Sequence, residues 1–91
     1  MNWVVYMLKC RDSSIYTGIS NNLKKRLNTH ANGFGSKYVR ARLPFRLIYI
    51  EECQSRSNAI KREIEIKKLN KKNKELLIKL YNKMRSYNEY F

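Results

Sequence analysis

Five side chains in this sequence carry groups that can move protons, bind an anion or ligate a cation: Tyr6, Tyr16, Arg26, His30 and Glu63. Phenols and an imidazole move protons, and a planar guanidinium that stays charged can hold two phosphate oxygens at once. A lone carboxylate can ligate a hard cation such as Mg²⁺, which fills its other positions with water and substrate oxygens. Each residue also has a plainer explanation. Tyrosine is a common strand residue that packs with its hydroxyl bonded. An arginine can snorkel along a helix, and a histidine near a helix C-terminus is favoured by the helix dipole.

Periodicity decides which of these positions are unusual. On a wheel of about 100° per residue with Ile60 at zero, Ile64 falls at about +40°, Ala59 at about −100° and Ile66 at about −120°. Glu63 then lies inside the apolar arc, beside Lys67, while Lys61, Arg62, Glu65 and Lys68 point elsewhere. A desolvated carboxylate needs a cation or a metal. The simple alternative is an i, i+4 pair with Lys67, worth only about 0.3–0.5 kcal/mol, and periodicity leaves both open. Arg26 and His30 sit one turn apart, flanking the stripe of Leu23 and Leu27. Gly18 falls inside a strand pattern, where glycine marks a bulge or a close approach to the backbone.

Elements must hold these groups. Trp3 to Leu8 and Ser14 to Ile19 read as hairpin strands, joined by the turn residues Arg11-Asp12-Ser13-Ser14. Ser20 or Asn21 offers an N-cap for a helix over Asn22 to His30, closed by Ala31 to Gly35. A loop with Lys37, Arg40 and Arg42 runs to Pro44, and Arg46 to Glu52 forms a third strand. Ser55 or Ser57 caps a second helix to about Asn70, and Asn73 caps a third with the apolar stripe Leu76, Leu77, Leu80, Tyr81 and Met84. Ser86 to Phe91 reads as a polar-aromatic tail. The order ββαβαα predicts an α+β fold, a three-stranded antiparallel-type sheet flanked by helices. Residues 1–80 form the expected domain, and 81–91 the helix end and tail.

Ninety-one residues suffice for one domain. Twenty Lys and Arg against seven Asp and Glu leave +13, a charge that favours a polyanion. Nucleic acid is the expected partner, its binding weakened by salt as counterions are released; a solvated basic surface or anionic lipid is the alternative. Lys37, Tyr38, Arg40 and Arg42 form a basic loop with an interleaved aromatic, suited to backbone contact and base stacking. Lys67, Lys71, Lys72 and Lys74 extend that track, or form a merely solvated face. The longest apolar run, Trp3 to Leu8, is far short of the roughly 20 residues of a membrane span. No secretory signal is read, so the expected location is cytoplasmic, with Cys10 and Cys53 as free thiols. A single His excludes multi-histidine metal sites.

Taken in order, these residues resemble the GIY-YIG nuclease superfamily. Val4-Val5-Tyr6 stands at the first triplet and Tyr16-Thr17-Gly18 at the second, with the helix bearing Arg26 directly after. Gly33 to Tyr38, Pro44 to Tyr49, Ala59 to Glu63 and Ile66 to Leu69 are similar to the small, single-domain bacterial branch. The resemblance spans roughly residues 2 to 80. The first triplet lacks glycine and isoleucine and the second has Thr17 for isoleucine, but no reactive group is lost. The resemblance implies a divalent-metal-dependent endonuclease: Tyr6 and Tyr16 near the scissile phosphate, Arg26 on it, His30 beside them, and Glu63 holding Mg²⁺ or Mn²⁺. Tyr6 or Tyr16 could take the water's proton only if its pKa drops well below about 10, which Arg26 and the metal would promote; on this reading Tyr6 is the one. His30 assists and Tyr16 positions the water. DNA is placed ahead of RNA as substrate, with a protein partner invoked for specificity because no recognition domain is visible. The alternatives are a basic DNA- or RNA-binding module that does not cut, and a structural protein of a ribonucleoprotein particle.

Overall fold

The computed structural model describes residues 2–88. Strand β1 (Trp3–Cys10) pairs with β2 (Ile15–Ser20) on one side and β3 (Phe45–Cys53) on the other, both antiparallel, in the order β2-β1-β3. Helix α1 (Leu23–Ala31) and the short α2 (Lys37–Arg40) lie between β2 and β3, and α3 (Arg56–Lys68) and α4 (Lys71–Asn88) follow. The expected α+β fold and element order are those observed, with the four-residue α2 inserted before β3. The unbroken apolar run of β1 has its reason here: Val5, Tyr6, Met7 and Leu8 are all buried, because a central strand covered on both faces has no side to leave polar.

Alternation along the strands divides the core into two layers. Val5, Met7 and Tyr49 face one way, packed against Ala59 and Ile66 of α3 and Leu77, Ile78 and Tyr81 of α4. Tyr6 and Leu8 face the other way, with Leu23 and Leu27 of α1, Val39 of α2, Phe45 and Leu47. The β1–β3 register shifts between Met7 and Leu8, which face Tyr49 and Leu47, leaving Ile48 as the extra residue of a bulge.

Several boundaries differ from the sequence expectation. Asn22 caps α1, its side chain accepting from the Lys25 N–H at 3.2 Å, while the Ser20 hydroxyl accepts from the Asn22 N–H. Ser55 caps α3 as one of the two expected candidates. Asn70, not Asn73, caps α4: its oxygen accepts the Asn73 N–H at 2.8 Å. The loop before Pro44 contains α2, capped by Ser36. Helix α4 continues through Ser86 to Asn88, where a tail is expected, and residues 89–91 lie outside the described residues.

Both C-terminal helices are also rotated from their expected faces. Leu77, Ile78 and Tyr81 pack inward, whereas Leu76, Leu80 and Met84 of the predicted stripe are exposed. On α3 the buried line is Ala59 and Ile66, and Ile64 is half exposed. A small residue opposite the sheet lets the helix approach closely, so Ala59 rather than Ile60 marks the docking line. Glu63 and Arg62 then flank it, one on each side. Cys10 and Cys53 are free thiols, and among the described residues no helix is long and apolar enough to cross a membrane.

Candidate active site

The hairpin sets the two tyrosines on the same face. Tyr6 lies opposite Gly18 and Tyr16 opposite Leu8, so the tyrosines are diagonal neighbours with ring centroids 6.2 Å apart. Gly18 permits this. A Cβ there would stand 2.7 Å from the Tyr6 hydroxyl oxygen and 3.0 Å from the Tyr16 ring, so the close approach is made by a side chain of the sheet itself.

Helix α1 brings two more groups to the same face. The His30 ring is wholly buried, its Nε2 2.9 Å from the Tyr6 hydroxyl. It packs edge-on to Tyr16 at 5.4 Å and to Phe45 at 6.1 Å. One turn earlier, Arg26 reaches the hydroxyls of both tyrosines, and no carboxylate partners it among the described residues. Contact with Tyr6 holds its guanidinium firmly charged.

Burial governs the titration of the centre. It pushes the Tyr6 phenol up to about 12, with Arg26 pulling the other way and losing. The sequence expectation that Arg26 would draw Tyr6 well below its ordinary value therefore fails for the protein's own groups. Desolvation outweighs one neighbouring cation because the ring has no exposed surface. Burial, reinforced by the charge of Arg26, lowers the pKa of His30. At neutral pH the centre thus holds a neutral phenol, a neutral imidazole and one positive guanidinium. Tyr16 is only half buried and Tyr6 is 0% exposed, so Tyr16 is the phenol in reach of water.

On α2, Tyr38 packs against Tyr16 with centroids 6.1 Å apart. Arg42 lies 3.9 Å over the Tyr38 ring and is tied down on both sides, donating from Nε to Asp12 Oδ2 at 3.0 Å and from Nη1 to the Tyr38 carbonyl at 3.1 Å. Its charge is committed to bracing α2 against the hairpin turn. Lys37 and Arg40 stand exposed. A pocket of about 280 Å³ opens at the free edge of β2, lined by Ile15, Tyr16, Thr17, Tyr38, Lys67 and Lys74. It joins the two layers around that edge.

Glu63 stands on the other layer, on α3, paired with Lys67, which lines the pocket at the β2 edge together with Tyr16. The Lys67 ammonium is 3.5 Å from Glu63 Oε2, and the Glu63 side chain is only 20% exposed. The i, i+4 pair is therefore real, and the carboxylate is also shielded, so the two sequence readings are compatible. No group of three or more His, Cys, Asp or Glu is clustered among the described residues. A single shielded carboxylate already facing a cation matches the donor set that Mg²⁺ or Mn²⁺ tolerates when water and phosphate complete the shell.

Sequence reasoning missed a second polar cluster. Tyr49 donates to Glu51, and Arg62 Nε lies 3.0 Å from each Glu51 oxygen. Tyr49 and Glu51 are two apart on β3 and so share a face, which is a readable signal. Arg62 is turned toward the sheet because α3 docks along Ala59 and Ile66.

The fold agrees with the family comparison. The model of the GIY-YIG catalytic domain matches residues 2–88, and the chain belongs to the GIY-YIG family. It is 51% identical over 73 residues to a UPF0213 protein of Bacillus licheniformis, covering 80% of this chain and 75% of that one. A UPF0213 protein of Clostridium perfringens is 50% identical over 78 residues, covering 86% and 83%. The solution NMR structure of the UPF0213 protein BH0048 from Bacillus halodurans is similar with a TM-score of 0.59 at 42% identity, over 88% of this chain and 85% of that one. A solution structure of a protein from E. faecalis gives 0.64 at 36% identity, over 90% and 88%. The family is one of nucleases, which act on nucleic acid and typically use divalent metals.

Proposed function

We propose that this protein is an endonuclease that hydrolyses nucleic-acid phosphodiester bonds with Mg²⁺ or Mn²⁺, DNA ahead of RNA, and that Tyr6, Tyr16, Arg26, His30 and Glu63 form its active centre. The observation that supports this best is a buried Tyr6–His30 hydrogen bond beside a guanidinium that lacks a carboxylate partner among the described residues. A cation left without an acid invites an anion from outside.

Arg26 holds the non-bridging oxygens of the scissile phosphate. Glu63 would hold the metal ion through a carboxylate oxygen as Lys67 swings aside. When bound, the ion supplies Lewis acidity at the phosphate and at the leaving 3′-oxygen. The proton path follows burial. Tyr16, which lines the pocket, meets the attacking water; Tyr6 and His30 lie behind it. Water's proton passes to the Tyr16 oxygen, the Tyr16 proton to Tyr6, and the Tyr6 proton to Nε2 of His30. The hydroxide adds to phosphorus and the 3′-oxygen departs with the bonding electrons. No free phenolate forms at Tyr6, which its raised pKa opposes. His30 starts neutral, with a nitrogen able to accept, and the burial and Arg26 charge that lower its pKa make it release that proton again readily. Tyr38, Lys37, Arg40 and Lys67 meet flanking phosphates and bases, while Arg42 fixes Tyr38.

The test is cleavage of single-stranded, duplex, nicked and branched DNA, and of RNA, with Mg²⁺ or Mn²⁺ added or chelated. Metal-dependent cutting that disappears in Glu63→Ala while binding persists is the expected result. Binding without cutting by the wild-type protein across all substrates overturns the proposal in favour of a basic binding module.

A further inference from the structure

The His30 ring is held by surprisingly few polar contacts. Nε2 bonds the Tyr6 hydroxyl, but Nδ1 is buried without a hydrogen-bond partner among the described residues. A histidine that relays protons is usually oriented through its second nitrogen. Here the orientation must come from shape.

Gly35 supplies the shape. A Cβ built on Gly35 would stand 2.8 Å from Cε1 and 2.9 Å from Cγ of His30, and nearer still to Nδ1. Its nearest neighbours are thus all atoms of one imidazole. The backbone there has little freedom to retreat. Gly33 N–H donates to the His30 carbonyl and Phe34 N–H to the Thr29 carbonyl, at 3.1 and 3.0 Å. On the other side, Ser36 caps α2 through the Val39 N–H. The ring cannot readily yield either, being boxed by Tyr6, Tyr16 and Phe45. Backbone conformation does not explain the residue. Of the two glycines in this loop, Gly33 is the one with positive φ, 83°, and a Cβ on it would meet nothing closer than 3.9 Å.

We propose that Gly35 is a positioning residue for His30: its bare Cα is the stop that keeps Nε2 on the Tyr6 hydroxyl, and any side chain there displaces the imidazole. The catalytic consequence rests on the proton path proposed above; the positioning itself does not.

The experiment uses the ¹⁵N-labelled full chain, in which His30 is the single histidine and its ring signals need no assignment. Long-range ¹H–¹⁵N spectra are recorded across pH for wild type, Gly35→Ala and Gly33→Ala. Gly35→Ala is expected to shift the ring resonances and move the titration of His30 up toward its ordinary value of about 6.5 as the ring leaves its buried place. Gly33→Ala, though strained, leaves the ring spectrum as in wild type. A folded Gly35→Ala protein with an unchanged ring spectrum overturns the proposal. Should Gly35→Ala fold poorly, the same substitution is made in a His30→Ala background, where its stability cost should largely vanish. An equal cost in both backgrounds overturns the proposal too. Cleavage gives the separate readout. A fall in kcat of tenfold or more with KM little changed joins the ring's position to the reaction, whereas a displaced ring at unchanged kcat supports positioning and counts only against the proton path.

Discussion

Tyr6 and Tyr49 lie on adjacent strands, both buried, with opposite surroundings. Tyr49 sits in a closed cluster: it donates to Glu51, and Arg62 covers both oxygens of that carboxylate. Acid and base cancel, and each charged side chain is about one-third exposed at 32% and 33%. Tyr6 has an imidazole and a guanidinium for company and no acid. Burial raises the pKa of both phenols, so a perturbed tyrosine does not by itself distinguish a site from a brace. Unmatched charge does. The Tyr49 cluster is complete within the protein; the Tyr6 centre is completed by an anion.

Exchanging the two arginines tests this difference most severely. Arg26→Ala is expected to cut the cleavage rate by about 10²–10³, the scale of losing one transition-state donor, with the urea midpoint nearly unmoved. Arg62→Ala should do the reverse. It strands the half-buried Glu51 and costs about 1–3 kcal/mol of stability, while the rate stays within a few-fold of wild type. Rates and urea unfolding of both variants decide; matching losses in the two would erase the distinction.

In mild acid, above the carboxylate range, the Tyr6 side should respond through its histidine. The folded pKa of His30 lies below its unfolded value. Between the two, the unfolded chain binds more protons, so stability rises with pH there and is lost as pH falls from about 6.5 toward the lowered folded value. Urea midpoints of wild type should therefore drop on acidification by more than those of His30→Gln, and parallel curves would contradict the assigned burial. In alkali the sign reverses. Tyr6 titrates at about 12 when folded, so stability present below pH 10 declines as the unfolded phenol ionises first; Tyr6→Phe should flatten part of that decline.

The smallest effect belongs to Lys67. A pair whose lysine is exposed, such as Lys67–Glu63, is worth about 1 kcal/mol, roughly fivefold in a competing equilibrium. Lys67→Met should lower the Mg²⁺ concentration for half-maximal cleavage by up to about that factor at saturating nucleic acid. A higher metal requirement would show that Lys67 assists the ion instead of competing with it.

The fold was readable because its signals were local: a hairpin with a turn rich in Asp and Ser, helices opened by small polar residues, and one unbroken apolar strand. The gathering of Tyr6, Tyr16, Arg26 and His30 was readable too, since one face of the hairpin and one helix face fix it. The Glu51–Arg62 brace was missed because a wheel centred on Ile60 assumes that the largest apolar residues mark the buried side. Helix α3 docks through Ala59 instead. The same assumption misplaced Leu76, Leu80 and Met84 on α4, whose apolar residues occupy more of the circumference than the sheet can cover. The order of the two phenols also escaped, because alternation says which face a tyrosine takes and nothing about its depth.

Tyr6 belongs to β1, the central strand, with hydrogen-bonded neighbours on both edges. Its amide should exchange with solvent only through global opening, the slowest class in the molecule, whereas those of the nine-residue α1 can exchange through local fraying. The strand tyrosine of the centre is therefore as durable as the whole protein, while the arginine and the imidazole ride on a short helix that has ends of its own.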